Sequence, residues 1–273
     1  MSPESRTCAV VVGQQRSGTT VFVWSLGTSP EIQSFGEVFH DAERDRDYNY
    51  FNFLQRFECD AEVKYLPDEQ YRRTLFDEYM KRIYALADTQ VPLLDVKYNS
   101  WHHLNTYWHN EEERPNLLGL MIERGYAILH LWRRNVFEQA LSMRYAEQRN
   151  AYHVHIHDSA SEPPHTTVRI DCGWMQAEME RSLRNTARFR RFLEGHDRAV
   201  EIQYEEMMDG EFISNTYGEA IANLLGVQAK PFGPAPLRKV TPPPREVIEN
   251  AEELKSFFAG TKYEEYVITA LER

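Results

Sequence analysis

The sequence predicts an α/β protein: a parallel sheet of the P-loop nucleotide-binding type, flanked by helices on both faces. Three observations predict it. Cys8-Ala9-Val10-Val11-Val12 is an unbroken apolar run, as in a strand buried on both faces. It leads into a glycine loop, Gly13 to Thr20, and then into a buried helical segment, Val21 to Leu26. Beyond that, strand-like runs alternate with segments of helical period, the pattern of a parallel sheet covered on both sides.

Taken in order, Ile32 to Phe35 is a short apolar stretch where a second strand returns beside the loop. Glu69 to Asp88 carries Tyr71, Leu75, Tyr79, Ile83 and Leu86 at a spacing near 3.6, a helix with one apolar face. Leu93 to Tyr98, Ala127 to Trp132 and Ala199 to Tyr204 read as further strands. Val136 to Gln148 reads as a helix with Phe137, Leu141 and Tyr145 on one face, and Trp174 to Leu193 as another through Met175, Met179, Leu183, Ala187 and Leu193. Two stretches break the rhythm. Asn150 to Ile170 holds Pro163-Pro164 and four histidines without helical period, an insertion at 150–170 expected on the acceptor side as a lid or binding loop. Lys230 to Pro244 is proline-rich and expected to wrap the surface. With no internal repeat, one domain over 1–273 is expected.

Charge narrows the partners. Lys and Arg number 31 against 42 Asp and Glu, leaving −11 with His neutral. Such a surface repels a phosphate backbone, so nucleic acids and polyanionic glycans are disfavoured. The three cysteines, Cys8, Cys59 and Cys172, match neither a metal spacing nor a disulfide framework, which fits a reducing compartment. No apolar run reaches the ~18–20 residues of a membrane span, and only seven residues precede the first apolar stretch. A cytoplasmic protein is expected.

The glycine loop carries the chemistry. A strand, a glycine turn and a helix N-terminus make an anion site, because the first backbone N–H groups of the helix lack partners and the helix dipole favours negative charge. Gly13 and Gly18 have the G-x-x-x-x-G spacing of a nucleotide P-loop, but Thr19 and Thr20 follow where Lys and Ser/Thr are required. A nucleoside triphosphatase would thereby lose its phosphate clamp. A cation stands inside the loop instead, at Arg16. A glycine turn with a surface arginine would give the same residues.

The run Gly13-Gln14-Gln15-Arg16-Ser17-Gly18-Thr19-Thr20 resembles the 5′-phosphosulfate loop of sulfotransferases that use 3′-phosphoadenylyl sulfate (PAPS) and release 3′,5′-adenosine bisphosphate (PAP). The resemblance implies that Gln15, Arg16, Ser17, Gly18, Thr19 and Thr20 hold the 5′ end of the donor and that no metal is required. A second motif agrees with it. Arg134-Asn135 ends a strand and Ser142 follows eight residues after the arginine, as in the family's 3′-phosphate site; Val136 replaces the usual proline. Ile202-Gln203-Tyr204-Glu205-Glu206-Met207 is similar to the family's strand ending in Tyr-Glu-Asp/Glu, which implies Tyr204 near the adenine and a structural acid beside it. Arg238-Lys239 is similar to its C-terminal nucleotide-closing segment, with Val240 in place of glycine. Ile248 to Leu254 resembles the bacterial carbohydrate and small-molecule branch, that of the nodulation-factor and trehalose enzymes.

Sulfuryl transfer to a hydroxyl needs a base and cations against charge growing on the leaving phosphate. Gly36-Glu37-Val38-Phe39 matches the Gly-Glu-x-Phe context in which the bacterial branch places its catalytic glutamate, so the resemblance implies Glu37 as general base; a carboxylate capping the turn before His40-Asp41 is the plainer reading. Animal and plant relatives use a Lys-Thr-His run, whose histidine position is Asn99 here, leaving Lys97 as a supporting cation at a strand's end. His102 and His103 could reach the acceptor. His153, His155 and His157, with Asp158 and His165, allow a zinc site, an acceptor contact or an exposed loop. Arg181, Arg184, Arg188, Arg190 and Arg191 are expected to pair with glutamates along one helix.

The expectation is therefore a PAPS-dependent sulfotransferase acting on a hydroxyl or amine of a small neutral or cationic acceptor: a sugar, glycolipid or natural product. Tyr48, Tyr50, Phe51, Phe53 and Phe57 among acidic residues would suit a cationic or stacked ligand, or simply pack in the core. A P-loop kinase-like phosphotransferase and a non-catalytic PAP/PAPS sensor or scaffold are the competing readings.

Overall fold

The computed structural model describes residues 7–60, 68–105, 110–150, 166–236 and 241–272. The chain runs β1 (Ala9–Gly13), α1 (Thr19–Leu26), β2 (Ile32–Glu37), α2 (Tyr50–Asp60), α3 (Glu69–Leu86) and β3 (Val91–Lys97). A short 3-10 helix (Tyr98–Leu104) leads to α4 (Asn116–Glu123), β4 (Ala127–Trp132), α5 (Val136–Arg149), α6 (Cys172–Leu193) and β5 (Ala199–Gln203). Then follow α7 (Tyr204–Met207), the hairpin of β6 (Met208–Asp209) and β7 (Phe212–Ile213), α8 (Asn215–Leu225), α9 (Pro244–Val247), α10 (Ala251–Phe258) and α11 (Glu264–Glu272).

The described residues build a five-stranded sheet in the order β2-β3-β1-β4-β5, and every pairing in it is parallel. This is the architecture the apolar runs predict. Every residue of β1 and β3 is buried, because helices cover both faces. Alternation divides their side chains: Val10, Val12, Leu94 and Val96 meet α3 and α4, whereas Ala9, Val11, Val91 and Leu93 meet α1 and α8. A third cluster packs α5 and α6 against α9, α10 and α11. Asx caps fix the helix starts: Asp68 accepts from Tyr71 N, Asn135 from Glu138 N and Asp171 from Trp174 N.

Departures from the sequence reading are local. Tyr204 opens α7 instead of closing β5. In α6, Ala187 is exposed and Ser182 and Phe189 take buried places. Steps of four residues rotate by about 40° each on a 3.6-residue helix, so a stripe drawn through Met175, Met179, Leu183 and Ala187 leaves the core face. The α6 arginines also pair differently. Arg181 meets Glu178 within the helix, but Arg188 and Arg191 reach Glu112, and Arg190 reaches Glu201 on β5. The histidine run, Asp158, His165, Arg238 and Lys239 lie outside the described residues. The insertion's far end is held: Val168 N donates to Val247 O and Ile170 N to the Asn250 side chain. Cys8 and Cys172 are free thiols, and no helix among the described residues is long and apolar enough to cross a membrane.

All five strands point their carboxyl ends the same way, and β1 is central. Successive connections leave it first toward β2 and β3, then toward β4 and β5, so the crevice outside the end of β1 is the topological switch point. Gly13 ends β1 opposite both Lys97 and Leu131, and a Cβ there would lie 2.7 Å from the Leu131 carbonyl oxygen. Gly13→Ala should therefore lower stability by about 1–3 kcal/mol, whereas Gly119→Ala, on α4 with open space around it, should raise it by about 0.5–1 kcal/mol. Urea unfolding of both variants checks this; equal effects of one sign would contradict it.

Candidate active site

The loop after β1 is shaped by two residues of positive φ, Arg16 at 65° and Gly18 at 88°. Gly18 is the N-cap of α1, and any side chain there would collide with the Tyr204 ring. Glycine is thus required both for the left-handed turn and for the ring's approach. Ser17 is fully buried and spends its hydroxyl inside the loop, donating to Gln14 O at 2.6 Å. Gln139 of α5 donates to Gln15 O at 3.0 Å, and Gln14 donates to the Ser182 hydroxyl of α6 at 2.8 Å. The loop is consequently tied to α5 and α6.

Arg16 joins the two sequence motifs. Its Nε donates to Ser142 Oγ at 3.2 Å across 126 residues of chain, and Thr241 donates to the same oxygen at 3.0 Å. Arg134 is not brought to Ser142: its guanidinium is 59% exposed and pairs with Glu206 at 3.1 Å. The preceding Arg133 is the buried one. It pairs with Glu138 at 2.5 Å and lies over the Tyr204 ring, 4.6 Å from its centre. The Glu205 carboxylate accepts from the backbone N–H groups of Arg134 and Asn135, both at 3.0 Å, and fixes the end of β4.

On the other side of the loop stands Lys97, the last residue of β3 and only 4% exposed. Its ammonium donates to Thr19 Oγ1 and to Asp95 Oδ2, each at 2.5 Å, and pairs with Glu37 Oε1 at 3.3 Å. Lys97 and Glu37 are thus one unit with the loop, while Thr20 lies half-buried beside Thr19 in the first turn of α1. The Glu37 side chain faces Lys97, and it is the Glu37 backbone carbonyl that accepts from His40 N. Asp95 was not singled out by the sequence. It is 3% exposed, and burial above all, then the Glu37 charge, pushes its carboxyl up to about 6 against the pull of Lys97. Arg133 was also missed, since two adjacent arginines at a strand end give no signal of which turns inward.

Beyond Glu37 the chain packs through aromatic rings. Phe39 stacks on His103 with ring centres 5.7 Å apart, and Phe51 meets His103 edge-on at 5.0 Å. Tyr50 is buried against Phe39 and Tyr79, so the inner face of α2 is core. Arg44 already covers Phe51, 5.1 Å from the ring centre. The plainer reading of this aromatic segment therefore holds for Tyr50. Among the described residues, no group of three or more His, Cys, Asp or Glu converges as metal ligands do.

No family model matches the sequence, and no curated protein does. Among solved structures, the chain is similar to a sulfotransferase from Alicyclobacillus acidocaldarius, with 15% identity, a TM-score of 0.47, and coverage of 98% of this chain and 97% of that one.

Burial first, and His102 second, push the His103 ring down to about 4 from an ordinary 6.5. Neutral His103 thus contributes stability that is fully present above about pH 6.5 and is lost as pH falls toward 4. His103→Gln should flatten the dependence of the melting temperature on pH within that window. An unchanged slope would show that His103 is not the group responsible.

Proposed function

We propose that the chain is a sulfotransferase that moves the sulfuryl group of PAPS to a hydroxyl or amine of a small, neutral or cationic acceptor. The observation that carries this reading is the convergence on one glycine loop of Arg16, bonded to Ser142, and of the Lys97–Glu37 pair, bonded to Thr19. An anion cradle, two cations and a carboxylate base are the parts that in-line transfer between an anionic donor and a hydroxyl requires.

The residues present suit such a donor. The first N–H groups of α1 have no intrahelical acceptors and face an anion favourably. Arg16 stands inside the loop, and the ammonium that a nucleotide P-loop carries after its second glycine is supplied by Lys97, bonded to the threonine that replaces it. When bound, PAPS supplies a sulfur that gains the acceptor oxygen as its bond to the bridging phosphate oxygen breaks. Glu37 takes the acceptor proton. Lys97 and Arg16 oppose the charge left on the departing phosphate, and Ser142 and Arg134 hold the 3′-phosphate. For Arg134 this means exchanging Glu206 for the ligand, and an exposed ion pair of that kind is worth only about 0–1 kcal/mol. Tyr204, braced by Arg133, offers a ring beside the loop for the adenine. The overall charge of −11 disfavours an anionic acceptor.

The expected outcome is PAPS turnover, on a panel of sugars, phenols and amines, that persists in excess chelator. A strict magnesium requirement with ATP as the productive donor would instead establish the kinase-like alternative, and PAP affinity without transfer to any acceptor would establish a sensor. Glu37→Gln should keep its affinity for PAP, measured by calorimetry, and lose turnover by about 10²–10⁴-fold. Undiminished turnover in that variant would remove Glu37 from the base role.

A further inference from the structure

Lys97 has three N–H donors; it donates to Thr19 and Asp95 and forms an ion pair with Glu37. Two of these partners are carboxylates, so a single ammonium is shared between two acids. The sheet register enforces this, because Asp95 lies opposite Glu37 on β2 and opposite Val11 on β1. Asp95 is the deeper of the two, at 3% exposure against 30% for Glu37. Its Oδ1 is buried and has no hydrogen-bond partner among the described residues, an unusual state for a carboxylate held only for fold stability. The charged groups facing it are Lys97, from its own strand, and Glu37, from β2.

We propose that Asp95 is a positioning residue of this site: it holds the Lys97 ammonium against the donor loop and shares it with Glu37, so that the charge states of the two carboxyls are coupled. The proposal rests on the reading of Glu37 as base and Lys97 as leaving-group cation. Its consequence follows from electrostatics. Ionised Asp95 draws Lys97 toward itself and repels negative charge on Glu37, which raises the proton affinity of the base. Protonated Asp95 leaves the whole ammonium to Glu37, stabilises its carboxylate and weakens it as a base. The burial that pushes Asp95 upward moves this change toward neutral pH.

A titration that needs no acceptor tests the coupling. The Asp95 carboxyl carbon is followed by nuclear magnetic resonance in the wild-type chain and in Glu37→Gln, a change at a partly exposed side chain. Removing the Glu37 charge should lower the Asp95 midpoint by about one pH unit. An identical midpoint in the two proteins, or a wild-type midpoint in the ordinary carboxylate range, would overturn the proposal. Asp95→Asn then tests the role in turnover of PAPS. It should retain PAP affinity within about threefold and move the acid limb of the kcat profile down by about one pH unit, with a plateau about tenfold lower. An unmoved limb in a folded Asp95→Asn would also overturn it. Should that variant fail to fold, the titration in Glu37→Gln decides alone. Full turnover by Glu37→Gln would refute the base reading, while the midpoint comparison would still decide whether Asp95 and Glu37 share Lys97.

Discussion

A buried ammonium must be matched by acceptors and opposite charge, and Lys97 is matched by hydrogen bonds to Thr19 and Asp95 and by an ion pair with Glu37. Left unmatched, such a charge would cost several kcal/mol, so its satisfaction ties together the ends of β2 and β3 and the first turn of α1. The glycine loop inherits its position from this knot on one side. On the other, Arg16 and Gln139 tie it to α5. The geometry proposed for catalysis is therefore the same geometry that closes the carboxyl edge of the sheet.

The knot also accounts for the loop's departure from a nucleotide P-loop. The loop has the glycine spacing but carries threonine where the phosphate-binding lysine belongs. On the proposed reading Lys97 supplies that charge from the neighbouring strand, where it donates to Thr19. A lysine rooted at a strand end and paired with two carboxylates suits, on the proposed reading, a cation that meets charge at one atom.

What was legible in the sequence follows from the range of the interactions involved. Strands β1, β3 and β4 announce themselves because burial on both faces demands unbroken apolar runs. The loop is legible because glycine spacing and helix start are local. Glu37 and Lys97 could be named from short motifs, but their meeting could not. It depends on β3 entering the sheet between β1 and β2, an order that no local pattern encodes. Asp95 was hidden for a related reason: an acid in a buried strand carries no local signature, and its partner two residues later reads as a strand-end lysine. The choice between Arg133 and Arg134 turns on which side chain faces Tyr204, again a matter of tertiary packing.

The acid excess is instructive in the same way. Net charge describes the far field, and many cations of the flanking helices are already committed: Arg73 to Glu69 and Glu123, Arg124 to Asp77, Arg188 and Arg191 to Glu112. Such exposed pairs contribute little to affinity for a passing anion. At the strand ends the balance is different, because Lys97 is almost wholly removed from water and Arg16 stands in the loop that leads to the N-terminus of α1. Coulomb interactions there act through a medium far less screening than the surface. An acidic protein can thus hold one small anionic donor tightly while repelling extended polyanions, since the first depends on a few desolvated charges and the second on the sum of all of them.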